Sequence, residues 1–267
     1  MSKIIINYPS IVDKQEYKKN HSSVTKYGLP ENLKFCSACV MTNQLPKSEV
    51  EHTHNKDTKK KTIDFHEDGK CAACHTTEEK KNRDVDWDKR EAELKELCKK
   101  YKSNNGSYDC LVPGSGGKDS FYTSYMLKYK YGMNPLTVTW SPLSYTDIGR
   151  ENLQSKIDSG FTNLLCTPNG IFQKKLARLC LEQLGDAFHV FVLGQVNYPF
   201  QLAAKLGIGL VFYGENGELE YGGTNNDRPY KPSEEWLTQH FKGVTFQKLL
   251  KYGLNNGYLN KNDFTDG

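Results

Sequence analysis

Ser115-Gly116-Gly117-Lys118-Asp119-Ser120 directly follows the apolar run Cys110-Leu111-Val112-Pro113. A strand that ends in a Ser/Gly-rich turn and runs into a helix commits this part of the chain to strand–loop–helix architecture. It also offers an anion unpaired backbone N–H groups and a positive helix end. Two adjacent glycines let the backbone approach phosphate oxygens without a Cβ in the way. Hydroxyls, an ammonium and a carboxylate within six residues can bind phosphate and hold Mg²⁺ beside it. The pattern is not the Gly-x-x-x-x-Gly-Lys-[Ser/Thr] phosphate loop. The plain alternative is an ordinary glycine-rich strand–helix turn.

What surrounds the loop alternates in the same way. Strands are expected at 108–113, 135–140, 161–166 and 208–213. Helices are expected at 119–131, 147–159 and 170–184, the last two closed by Gly160 and Gly185, and within 188–206. Such alternation argues for an α/β fold, a parallel sheet with helices on both faces. Upstream, 86–101 reads as an amphipathic helix with Trp87, Leu94, Leu97, Cys98 and Tyr101 on one face. A short helix is expected at 246–252. The organisation that results is an N-terminal arm (1–34), a cysteine-bearing module (35–85), a connecting helix (86–107), the α/β domain (108–225) and a helical tail (226–267).

Eight cysteines in 267 residues include two Cys-x-x-Cys knuckles, Cys36/Cys39 and Cys71/Cys74. Two knuckles supply four thiolates in tetrahedral geometry, the requirement of structural Zn²⁺. An iron–sulfur cluster on the same four is the competing reading. His52, His54, His66 and His75 lie nearby but read as surface histidines, since four cysteines close a site. Cys98 and Cys110 read as core, Cys180 falls inside a helical pattern, and Cys166, at a strand end, could face a cleft. His189 reads as a buried histidine rather than a proton carrier.

Bulk properties exclude some classes. The longest apolar runs fall far short of the roughly 18 residues a membrane span needs, and the N-terminus lacks a signal-peptide core, so a cytoplasmic protein is expected. A net charge of +4 suits anionic ligands but is too mild to argue nucleic-acid binding. Lys56 to Lys61, interrupted by Asp57 and Thr58, reads as a solvated loop.

Six loop residues reading Ser-Gly-Gly-Lys-Asp-Ser resemble the loop of the PP-loop ATP pyrophosphatases. Three stretches together resemble the N-acetyl sugar amidotransferase family of bacterial surface-polysaccharide (lipopolysaccharide) and nonulosonic-acid pathways. They are Phe35-Cys36-Ser37-Ala38-Cys39-Val40-Met41 with Cys71-Ala72-Ala73-Cys74, the segment 108–120 with 127–136, and Gly214-Glu215-Asn216-Gly217-Glu218-Leu219-Glu220-Tyr221-Gly222-Gly223. The resemblance covers residues 35 to 253. It implies a Rossmann-like PP-loop domain preceded by a small zinc ribbon. Members of that family continue well past the position of Gly267, which implies either a short member or a further C-terminal portion.

The implied activity converts a sugar N-acetyl group to acetamidino through an O-adenylyl imidate, with ATP cleaved to AMP and pyrophosphate. Ser115, Gly116, Gly117 and Ser120 would cradle pyrophosphate, Lys118 would clamp charge and Asp119 would contact Mg²⁺. Adenine is expected across the carboxyl ends of neighbouring strands, at Thr139, Trp140 and Ser141. Glu215, Asn216 and Glu220 would face the acceptor sugar or the metal, or form a polar loop. The acceptor would be a nucleotide-activated N-acetylated sugar. No cysteine is placed as a glutaminase nucleophile, so the resemblance implies a partner glutaminase supplying ammonia. A tRNA thiolase that adenylates a base oxygen is the nearest rival, and a non-catalytic zinc-ribbon nucleotide-binding protein is another.

Overall fold

The computed structural model, which describes residues 29–30, 32–45, 62–82, 85–214 and 244–264, carries two helices before Ser107, of which the second follows the apolar spacing of 86–101 and the first has no counterpart among the expected helices. They are α1 (Ala72–Lys81) and α2 (Trp87–Tyr101). The chain divides into two units, one of residues 1–86 and 216–248, the other of 87–215 and 249–267. In the first unit Phe35 bridges Thr42 and Phe65 bridges Cys71, both antiparallel. Cys36, Ile63, Cys71 and Ala72 form its small core, flanked by Met41 and Phe65.

The second unit is built on three parallel strands, β1 (Cys110–Pro113), β2 (Pro135–Trp140) and β3 (Asn163–Cys166), in that spatial order. Leu111 lies opposite Leu136, and Val138 opposite Leu164. Parallel neighbours need a crossover. Here α3 (Lys118–Tyr125), extended by a π turn at Met126–Lys130, links β1 to β2, and α4 (Asp147–Asp158) links β2 to β3. Two further helices follow, α5 (Gly170–Leu184) and α6 (His189–Lys205); α7 (Phe246–Asn255) comes after residue 244.

Alternation along β1 sends its side chains to opposite faces. Cys110 and Val112 pack with Cys98 of α2, Leu127 and Met133 on one face. Leu111 joins Leu136 and Val138 of β2 against Leu202 and Ala203 of α6 on the other. Helices therefore cover both faces of the sheet, as the alternation of elements implies.

Several boundaries differ from expectation for identifiable reasons. β1 begins at Cys110 rather than 108, because the Asp109 carboxylate accepts the N–H groups of Ser103 and Asn134, each at 2.6 Å. Phe161 packs edge-on against Phe121 and Tyr129 instead of opening β3. The run 208–213 meets β1 through a single parallel bridge, Leu111–Val211. Leu111 N–H donates to the Leu210 carbonyl and Phe212 N–H to the Leu111 carbonyl, both at 2.9 Å. Gly209 within that run has no side chain to contribute to a ladder. α7 continues past Gly253, because a Cβ there would lie 2.7 Å from Leu259: the glycine allows close packing instead of ending the helix. On α2 the buried stripe is narrower than its spacing suggests, with Cys98 buried and Trp87 50% exposed.

Candidate functional site

Two groups of functional side chains emerge, one in each unit. In the first, the four knuckle cysteines bring their sulfur atoms within 4.8 Å of one another. Cys71 occupies the cap position of α1, so Cys74 falls one turn inside the helix, while the Cys36–Cys39 turn is closed by Cys36 N–H donating to the Met41 carbonyl at 2.8 Å. Cys36 Sγ lies 3.8 Å from Cys74 Sγ, and Cys39 Sγ 3.7 Å from Cys71 Sγ. A tetrahedron with Zn–S bonds of about 2.3 Å has S···S edges of about 3.8 Å, so the set fits zinc.

Backbone donors already point at these sulfurs. Ala38 N–H and Cys71 N–H reach Cys36 Sγ at 3.4 and 3.2 Å, and Met41 N–H reaches Cys39 Sγ at 3.4 Å. Burial pushes the Cys36 thiol up, but the N–H groups of Ala38, Cys71 and Cys39 outweigh it and bring it down to about 6. The adjacent Cys39 thiol, then burial and the other two thiols, push Cys74 up to about 12. Four sulfurs this close resist ionising together, and a divalent cation among them relieves that conflict. His75 pairs with Asp68 at 3.0 Å and stacks on His66 at 3.7 Å, so these rings are engaged elsewhere. His52, His54 and the run 56–61 lie outside the described residues.

The second group is the loop after β1. Gly114 N–H donates to the Val138 carbonyl at 2.8 Å, and the Thr139 hydroxyl donates to the Gly114 carbonyl at 2.7 Å, so β2 holds the start of the loop from both sides. Gly116 has φ +92°, and a Cβ on it would sit 2.7 Å from the backbone nitrogen of Leu153 in α4. Only glycine combines that conformation with that approach. Gly117 then takes the cap position of α3 and supplies no capping oxygen to the first-turn N–H groups. Gly214 also comes close, since a Cβ there would lie 2.6 Å from Ser120 N. Within the loop, Lys118 Nζ pairs with Asp119 Oδ1 at 2.8 Å, and Ser120 Oγ donates to the Gly117 carbonyl at 3.2 Å.

The loop's position follows from topology. After β1 the chain moves to β2 and β3 on one side, and the run 208–213 later returns on β1's other side. The carboxyl end of β1 is therefore the switch point at which open α/β sheets bind ligands. Thr139, Trp140 and Ser141 end β2 nearby. Thr139 and Ser141 are buried, and Ser141 donates its hydroxyl to the Pro142 carbonyl at 3.3 Å. Trp140 packs on Gly194, with the Tyr198 ring 5.4 Å away. Cys166 ends β3, where burial raises its thiol. Cys98, Cys110, Cys180 and His189 are buried. Glu215, Asn216 and Glu220 lie outside the described residues.

One residue that the sequence reading passed over is Lys156 of α4. Only 1% exposed, it is among the largest fully buried side chains. Its Nζ has no hydrogen-bond partner among the described residues and lies 3.5 Å from the position of a Cβ on Gly114. The available signal was its spacing of three from Leu153, which puts it on the inward face of the helix.

Fold and sites together define an α/β protein with a three-stranded parallel sheet, a glycine-rich strand–helix loop, and a four-cysteine cluster that could hold a metal such as zinc. No protein-family model matches the chain. It is 30% identical over 103 residues to an uncharacterized protein of Methanocaldococcus jannaschii, a stretch covering 39% of this chain and 31% of that protein. Among the described residues, no helix is long and apolar enough to cross a membrane.

Proposed function

We propose that this protein is an AMP-forming, ATP-dependent amidotransferase of the PP-loop type, converting the N-acetyl group of a nucleotide-activated sugar to an acetamidino group in the cytoplasm. The observation that carries this reading is the 114–120 loop. Two glycines in close approach, an uncapped helix start, Lys118, Asp119 and two serines lie together at the carboxyl end of β1.

An amide carbon resists ammonia because its oxygen leaves poorly. The amide oxygen attacks the α-phosphorus of ATP, and the bond to the bridging oxygen breaks, releasing pyrophosphate. Ammonia adds to the resulting O-adenylyl imidate, loses a proton, and expels AMP carrying the former amide oxygen. Ser115, Gly116, Gly117 and Ser120 would receive the pyrophosphate, and Lys118 would offset its growing charge. Asp119 would hold Mg²⁺, which when bound neutralises charge on the leaving group. Thr139, Trp140 and Ser141 would border the adenine, and Glu215, Asn216 and Glu220 the acceptor. Zinc on Cys36, Cys39, Cys71 and Cys74 would hold together a unit with a small core of its own. A glutaminase partner would deliver the ammonia.

Incubation with ATP, Mg²⁺, ammonium and a panel of N-acetylated nucleotide sugars tests the reading, with AMP and amidine formed together as the expected outcome. AMP formed with tRNA and a sulfur donor alone would replace it with a thiolase. ATP bound with no AMP from any acceptor would leave a non-catalytic nucleotide-binding protein.

A further inference from the structure

Lys156 places an ammonium where water scarcely reaches. A lone buried cation is costly unless an anion meets it, and its Nζ has no hydrogen-bond partner among the described residues. The side chain is directed at the loop. Leu153, one turn earlier on α4, supplies the backbone that Gly116 approaches, and Lys156 Nζ then comes within 3.5 Å of the position a Cβ on Gly114 would take. On that same Gly114 face lies Ser120, whose side chain occupies the other space a Cβ would need. Ammonium and hydroxyl thus converge beneath the glycine turn. Lys118, by contrast, has a side chain 89% exposed and already beside Asp119.

Resting on the nucleotide site proposed above, we propose that Lys156 is a phosphate-binding residue of that site, a buried cation under the 114–117 turn that meets the diphosphate end of ATP. The arrangement divides the work between two lysines. Lys118 can move with ligand and metal, while Lys156 is fixed by the packing of α4 and favours a multiply charged anion at one position.

The test is calorimetric titration of intact wild-type and Lys156→Met protein with sodium pyrophosphate and with ATP, each with and without Mg²⁺, alongside urea denaturation. Methionine keeps the length and apolar stem but removes the charge. The expected result is an unchanged or raised urea midpoint, because an unpaired buried charge is gone, with pyrophosphate affinity lowered at least about tenfold. Unchanged affinity in the folded variant overturns the role of Lys156 and leaves the nucleotide reading standing. If wild type binds neither pyrophosphate nor ATP, that reading fails and the role of Lys156 fails with it.

Should the variant not fold, wild-type protein decides through pH. Burial alone brings the Lys156 ammonium down to about 8, and the charged groups on the loop above it are Lys118 and Asp119. A bound anion raises that value, so affinity is highest below about pH 8 and falls as pH rises through it. Deprotonation of pyrophosphate itself works in the opposite direction. The profile is therefore read with ATP, whose terminal phosphate loses its last proton near about pH 6–7 and keeps a constant charge above that; ATP affinity that stays level or increases from about pH 7.5 to about pH 9.5 overturns the proposal.

Discussion

Gly116→Ala isolates the feature on which the loop depends, the close approach of its backbone to α4. Two effects add. A side chain at φ +92° is strained by about 1–2 kcal/mol. The new Cβ would also lie 2.7 Å from Leu153 N and 2.8 Å from Asn152 C, backbone atoms that cannot rotate away. Forcing an extra carbon into such a contact costs about 1–3 kcal/mol. The expected total is about 2–5 kcal/mol, a urea midpoint lower by roughly 1 M or more. Gly106→Ala is the matched control, since Gly106 has φ +81° with nothing within 4 Å of its Cβ position; it should lose only the strain, about 1–2 kcal/mol. Both variants are compared with wild type by urea denaturation of the intact protein. If Gly116→Ala is no less stable than Gly106→Ala, the loop does not lie against α4 as described.

Zinc should co-purify at about one per chain, and a chelator strong enough to remove it, or Cys71→Ser, should loosen the cysteine-bearing unit; elemental analysis showing iron, or no metal in a folded protein, would contradict this. Asp119→Asn should abolish AMP formation while leaving the urea midpoint near wild type, because the exposed carboxylate organises Mg²⁺ rather than packing; near wild-type turnover refutes the metal contact. Lys175 and the Asn260 N–H hold the Asp263 carboxylate below its ordinary range, so this contact stabilises fully above about pH 4 and is lost as pH falls through the lowered value. Lys175→Met should remove that part of the acid sensitivity, and identical acid-unfolding profiles for variant and wild type would argue against it.

The sheet was legible where sequence and tertiary context agree. Pro135–Trp140 and Gly170–Leu184 form over the residues their patterns predict, the latter because Asn169 caps its start and Gly185, at φ +69°, its end. The four cysteines were legible because knuckle spacing leaves few alternatives. What escaped depends on contacts remote in sequence. Asp109 draws its partners from residues 103 and 134, which no local window combines. The helix expected at 246–252 runs on through Gly253, which Leu259 and Leu179 make a packing glycine. Lys156 has only its spacing from Leu153 to mark it as inward-facing, and its approach to Gly114 joins residues 42 apart in sequence. The same contacts show Thr139 holding Gly114, a role its strand position alone does not indicate.

The most direct test of the proposed chemistry is the fate of one oxygen atom. An N-acetylated nucleotide sugar labelled with ¹⁸O in its acetyl carbonyl, incubated with the protein, ATP, Mg²⁺ and ammonium, should yield unlabelled acetamidino sugar. The label should appear in AMP, because the amide oxygen leaves on the α-phosphorus. Label found in inorganic phosphate with ADP as co-product, or retained in the sugar while ATP is consumed, would contradict adenylation of the amide oxygen.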